Sequence, residues 1–269
     1  MDHILDVVEE NGLGAIINFH NYYDLMEDPR DEKENFYKMW ESIAERYKDR
    51  PDSLVFEILN EPTDSLNANI DWMPIQNECI RIIRETNPTR KIIVTGGSAG
   101  GKDGLWDLAV PNDPNLIASF HYYTPLEFTH QGAHWDSSFD QYLGTQWLGT
   151  DEERNLIDES FAQVRAWSQA TGIPVILGEF GTYDKADYDS RVRWTECVRE
   201  TAEKYGFAWA YWEFCSRFGI YDPETGEYRT ELKDAILPAT AYADAGAAAG
   251  RPTASASINE SVIGPVTFE

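Results

Sequence analysis

The chain has 269 residues, 42% of them hydrophobic and 13% aromatic, with a formal net charge of −25. That length can bury a full domain core, and that apolar share excludes a disordered chain. The acidity excludes nucleic acid as a partner, because phosphate binding needs a basic face, and it sets the surface against an anionic membrane.

The opening MDHILDVVEENG reads as a helix and has neither the basic start nor the apolar core of a signal peptide. No apolar run approaches the about 18 residues of a membrane span. Residues 14–19 (GAIINF) read as a first strand ending at His20. Phe36, Met39, Trp40, Ile43, Ala44 and Tyr47 then repeat with the period of an amphipathic helix. A second strand, 53–59 (SLVFEIL), leads into Asn60-Glu61-Pro62, and the next helix turns Ile75, Cys79, Ile82, Ile83 and Thr86 to one face. Strand three, 91–95 (KIIVT), is closed by GGSAGG at 96–101, which lacks the register and the Lys-Ser/Thr of a phosphate loop and reads as a turn. Strand four, 116–120, ends in His121-Tyr122-Tyr123. After a long loop, a helix carries Ile157, Phe161 and Val164. Strand five, 173–178, delivers Glu179, and a helix from Tyr188 to Tyr205 leads to strand six, 207–212, ending at Trp212. A last helix near 229–237 stops at Pro238.

Continuous apolar strands, each followed by a helix, predict a parallel sheet with covered faces. His20, Asn60, Glu61, His121, Tyr123, Glu179 and Trp212 all fall at C-terminal strand ends, the face that carries the active site in a (β/α) barrel. A carboxylate at an apolar strand end must be paired, hydrogen-bonded or protonated. Two such carboxyls, one protonated and one ionised, are the equipment of glycoside hydrolysis. Cys79, Cys197 and Cys215 are odd in number and lack metal-ligand spacing, so buried thiols are expected rather than a disulfide framework. Trp72, Trp106, Trp135 and Trp147 read as loop aromatics, either lining a cleft or packed beneath their loops. His20 alone reads equally as a core histidine.

LNEP at 59–62, FHYYTP at 120–125, FTHQGAHW at 128–135, GEFG at 178–181 and YWEF at 211–214 resemble glycoside hydrolase family 5 of clan A. The resemblance runs from about residue 4 to 238. It implies a TIM-type (β/α)₈ barrel, here incomplete, with six recognisable β/α units: the opening helix corresponds to the one before the family's third strand. An arginine that the family places on its second strand, near the nucleophile, has no counterpart. By resemblance, Glu61 is the acid/base and Glu179 the nucleophile. Tyr123 hydrogen-bonds that nucleophile, Asn60 holds the sugar 2-hydroxyl, His20 and His121 border the reactive subsite, and Trp212 is the platform beneath the sugar. GGSAGG becomes a sugar-facing loop.

The implied activity is that of a retaining endo-β-1,4-glucanase, a cellulase, acting on a β-linked polysaccharide with no cofactor and no metal. A β-mannanase, xylanase or β-1,3-glucanase would use the same glutamates. A non-catalytic carbohydrate-binding remnant and a metal-dependent hydrolase using His20 and His121 are the alternatives from other classes. The resemblance implies an extracellular protein. Residues 1–238 are expected to form the catalytic domain and 239–269 an Ala/Gly/Ser-rich tail or linker. Within the tail only 261–268 has strand character, restricted to an edge by its Gly-Pro. A six-stranded sheet leaves residues 14–19 and 207–212 as edges, so self-association across the gap is expected.

Overall fold

A computed structural model of the chain describes residues 1–238, so the expectations for the 239–269 tail lie outside the described residues. The chain divides into two compact units. Among the described residues, the first comprises Met1–His121 with Val164–Ile176, and the second comprises Tyr122–Gln163 with the chain from Leu177 to Pro238.

The first unit opens with α1 (Asp2–Glu10), β1 (Ala15–Asn18), the short α2 (Tyr23–Glu27) and α3 (Pro29–Tyr47). Helix α3 starts where the sequence chemistry asks for it. The Asp28 side chain caps the Arg30 amide, Pro29 takes the first turn, and Asp31 and Glu32 face the positive end of the helix dipole. It buries Phe36, Trp40, Ala44 and Tyr47, the centre of the predicted stripe. Then follow β2 (Leu54–Glu57), α4 (Asn69–Thr86), β3 (Ile92–Thr95) and β4 (Leu116–His121). Every residue of β2, β3 and β4 is buried, as both faces of a covered parallel sheet require. Parallel registers pair Ile17 with Phe56, Asn18 with Glu57, Glu57 with Ile93, and Ile93 with Ile117.

The N-terminal end of this sheet is stapled by a buried arginine. Arg90 donates to the carbonyls of Tyr47, Arg50, Pro51 and Leu54, at 2.6–3.0 Å. Burial pulls its guanidinium below the usual arginine range, with the Asp52 charge opposing, and the carbonyl cage meets its donors.

The second unit carries α5 (Leu126–Thr129), most of α6 (Asp151–Thr171), the end of β5 (Val175–Glu179), α7 (Tyr188–Lys204) and β6 (Ala208–Trp209). A hairpin of β7 (Tyr221–Asp222) and β8 (Glu227–Tyr228) precedes α8 (Thr230–Ile236). Strand order is β1-β2-β3-β4-β5-β6, six parallel strands of an incomplete (β/α) barrel whose closed form has eight. Beyond the two residues of β6 the ladder continues: Ala210 N–H donates to Leu177 and Trp212 N–H to Phe180, both at 2.9 Å.

Two expectations, for Trp72 and Cys215, are corrected. Trp72 is not a loop aromatic: it lies in α4, fully buried, with Nε1 donating to the Thr95 carbonyl at 2.7 Å. Trp147 is also buried, packed beneath its loop with the Arg154 guanidinium over its ring, whereas Trp106 and Trp135 are exposed. Cys79 and Cys197 are buried thiols as expected, but Cys215 is exposed, on the loop that follows Trp212.

Candidate active site

In the first unit the strand ends gather two carboxyls and two imidazoles. Trp40 Nε1 donates to Ile58 and the Asn60 amide donates to Phe19, so the chain after β2 is held along β1 as it leaves the sheet. Asn60 is buried, while the Glu61 side chain keeps 35% of its surface open to solvent. His121, the last residue of β4, is buried and places Nδ1 2.7 Å from Glu61 Oε1. His20 is half-buried just past β1. Burial is the main influence on its imidazole and holds it below the ordinary histidine range; Glu61 opposes that shift and His121 adds to it.

The glycine-rich turn supports this arrangement from behind. His121 N–H donates to Gly100 and Ala99 N–H to Pro62, at 2.9 and 3.2 Å. Gly100 has φ +68, and a Cβ there would press on the Asn60 carbonyl and His121 Nδ1 at 3.3 Å. Only glycine meets both demands, the left-handed backbone and the close approach. The turn reading holds, with a packing reason for the glycine.

Sequence reasoning passed over Glu57. It is buried within β2, accepts from Asn18 Nδ2 at 3.0 Å, and is pushed up to about 7, chiefly by desolvation, with His121 and Asn18 opposing and Glu61 adding slightly. A charged residue inside SLVFEIL was the available signal. Its partner lies 39 residues away, beyond local pattern.

In the second unit Glu179 closes β5 and is buried. Tyr123 Oη donates to its Oε2 at 2.8 Å, and Tyr122 N–H donates to its main-chain carbonyl at 2.9 Å. Trp212 is half-buried and packs with Tyr123 and Phe139 against Ala133, Tyr183 and Phe218. A Cβ on Gly181 would strike the Trp212 carbonyl, so glycine after Glu179-Phe180 lets the Trp212 backbone come close. Glu213, another residue not singled out from sequence, accepts from the amides of Cys215, Ser216 and Phe218 and ties down the loop after Trp212.

Each predicted site residue thus stands at or just past a C-terminal strand end, the catalytic face of the (β/α) barrel class. The family model for cellulase, glycosyl hydrolase family 5, matches residues 1–217. The chain belongs to that family. It is 35% identical over 249 residues to Endoglucanase H of Acetivibrio thermocellus, covering 90% of this chain and 26% of that protein. The chain therefore spans about a quarter of that relative's length. Among solved structures, Thermotoga maritima Cel5A in complex with cellobiose superposes with a TM-score of 0.85 at 40% identity, covering 87% of this chain and 76% of that one. The cellulose synthase subunit Z (CcsZ) of Clostridioides difficile gives 0.85 at 37% identity, covering 88% and 78%. No helix among the described residues is long and apolar enough to cross a membrane.

Proposed function

We propose that the chain is an extracellular endo-β-1,4-glucanase that cleaves with retention of configuration. The observation that carries this reading is the contrast between two strand-end glutamates. Glu179 is buried and accepts a phenol hydrogen bond, which favours the carboxylate, whereas Glu61 remains open to solvent beside an imidazole. The first setting suits a nucleophile and the second a group that must exchange protons with water.

In the first step Glu61 gives its proton to the glycosidic oxygen as the Glu179 carboxylate attacks the anomeric carbon. The leaving sugar departs with that proton, and a covalent glycosyl–Glu179 ester remains. Glu61, now a carboxylate, takes a proton from a water molecule that attacks the same carbon. The ester breaks, Glu179 regains its charge, and Glu61 holds a proton again. His121 Nδ1 stays at Glu61 Oε1 and fixes that carboxyl's orientation in both halves. Asn60 would hold the 2-hydroxyl, His20 would border the subsite, and Trp212 would lie beneath the ring.

Support for a β-glucan substrate comes from the relatives named endoglucanase. Cel5A has also been described with mannotriose, so a mannan backbone is the nearest competing substrate. The test is reducing-sugar release from carboxymethyl-cellulose, mannan, xylan and β-1,3-glucan, with and without EDTA. The expected result is release from the β-1,4-glucan, unchanged by chelation. Absence of release from every glycan would leave a binding remnant, and loss with EDTA would require a metal mechanism.

A further inference from the structure

The side chains of the FTHQGAHW segment, residues 128–135, form a connected brace. Thr129 is fully buried, and its Oγ1 lies 2.5 Å from the Tyr123 carbonyl and 2.8 Å from His130 Nδ1. A carbonyl cannot donate, so the Thr129 hydroxyl spends its single proton on Tyr123. Its oxygen can then only accept from His130, which places a proton on Nδ1. The His130 ring meets the Tyr123 ring nearly at right angles, with centroids 4.9 Å apart. It is itself set among Trp135, Phe139 and Phe218, at 5.8, 5.5 and 5.7 Å. Tyr123 is therefore fixed twice, at its carbonyl by Thr129 and at its ring by His130.

The rest of the motif anchors the brace. Tyr183 N–H donates to the Thr129 carbonyl at 2.8 Å. The Gln131 amide, buried, donates to Phe128 and Thr145 and accepts from the Gly144 amide. His134 Nδ1 lies 2.9 Å from the Tyr183 hydroxyl.

We infer that His130 is a positioning residue for the reaction: through Thr129 and its own ring it holds the Tyr123 phenol aimed at Glu179. This rests on the reading of Glu179 as nucleophile and Tyr123 as its hydrogen-bond donor. A loosened phenol would weaken a contact that orders the nucleophile, without touching the sugar. The cost should therefore fall on kcat and leave KM largely alone.

The variants are His130→Phe, which keeps an aromatic ring but loses the Nδ1 donor; His130→Asn, whose amide can return a donor near that position; Tyr123→Phe; and the double variant Tyr123→Phe/His130→Phe. Thermal melting of each checks folding, and kcat and KM are measured on cello-oligosaccharides. His130→Phe should lower kcat about tenfold, the scale of one displaced hydrogen bond, with KM within about twofold. His130→Asn should recover part of the loss, and it carries the test alone if His130→Phe does not fold. The double variant should be no slower than Tyr123→Phe, because both substitutions remove one interaction. Wild-type kcat in His130→Phe, or losses that multiply in the double variant, would overturn the inference while leaving the Tyr123–Glu179 reading intact. Wild-type kcat in Tyr123→Phe would instead overturn that reading, and this inference with it.

Discussion

The end of β2 and the end of β5 present the same residue in opposite surroundings. Glu61 is a third exposed and faces an imidazole that can donate or accept a proton. Glu179 is buried and held by a phenol that can only donate to it. The side chains have the same composition, so the difference must lie in their neighbours: His121 at the first, Tyr123 at the second. A partner that can take or give a proton permits acid/base cycling, whereas a fixed donor favours a permanent anion.

The contrast is broken most severely at Glu179. Glu179→Gln keeps the volume and a hydrogen-bonding oxygen but no longer supplies a nucleophile. Turnover should fall on the order of 10⁴-fold or more, with the melting temperature little changed. Residual activity near wild type would remove Glu179 from the chemistry. Glu61→Ala should cost about 10²–10⁴-fold on polysaccharide, the range of a lost general acid–base. Azide should restore turnover of substrates with activated leaving groups, since azide needs no general base. Near wild-type rates on polysaccharide, or no azide rescue on activated substrates, would count against the assignment.

Glu57 sharpens the comparison from the stability side. Its carboxyl is raised to about 7 by burial, so the native state keeps a proton that the unfolded chain releases near its ordinary value. Between those two points the folded chain binds more protons than the unfolded chain. Stability should therefore decline as pH rises through this window and level off above it, by up to about 3 kcal/mol for this group. Glu57→Gln has no such ionisation. Its melting temperature should gain on wild type between pH 5 and pH 8, and a constant gap would show that Glu57 does not titrate there.

The smallest expected effect is association. β1 and β6 end the strand order, and a sheet edge offers unpaired backbone groups. We propose that copies of the chain associate through this edge, opposed at low salt by the net charge of −25. Screening, with a Debye length of about 8 Å at physiological salt, weakens that opposition. Light scattering should show a dimer or larger species that increases with salt. A monomer at both low and high salt would contradict the proposal.

The barrel class was legible because parallel strands buried on both faces leave unbroken apolar runs, and each run is punctuated by the residue it delivers. GEFG after PVIL and NEP after FEIL needed no tertiary knowledge. What stayed hidden was set by contacts distant in sequence. Trp72 was read as loop, yet α4 begins at Asn69 and runs on through Pro74 inside the helix. Glu57 needed Asn18, and the FTHQGAHW motif needed Tyr123 and Tyr183, before either had a physical meaning.

The most direct test of the two-carboxylate account is the stereochemistry of the first product. Proton NMR, recorded as a cello-oligosaccharide is cleaved and before mutarotation, reports the configuration of the new reducing end. Double displacement through Glu179 predicts that the β-anomer appears first and the α-anomer grows in later. An α-anomer formed first would mean inversion and would contradict the assignment of Glu179 as a nucleophile.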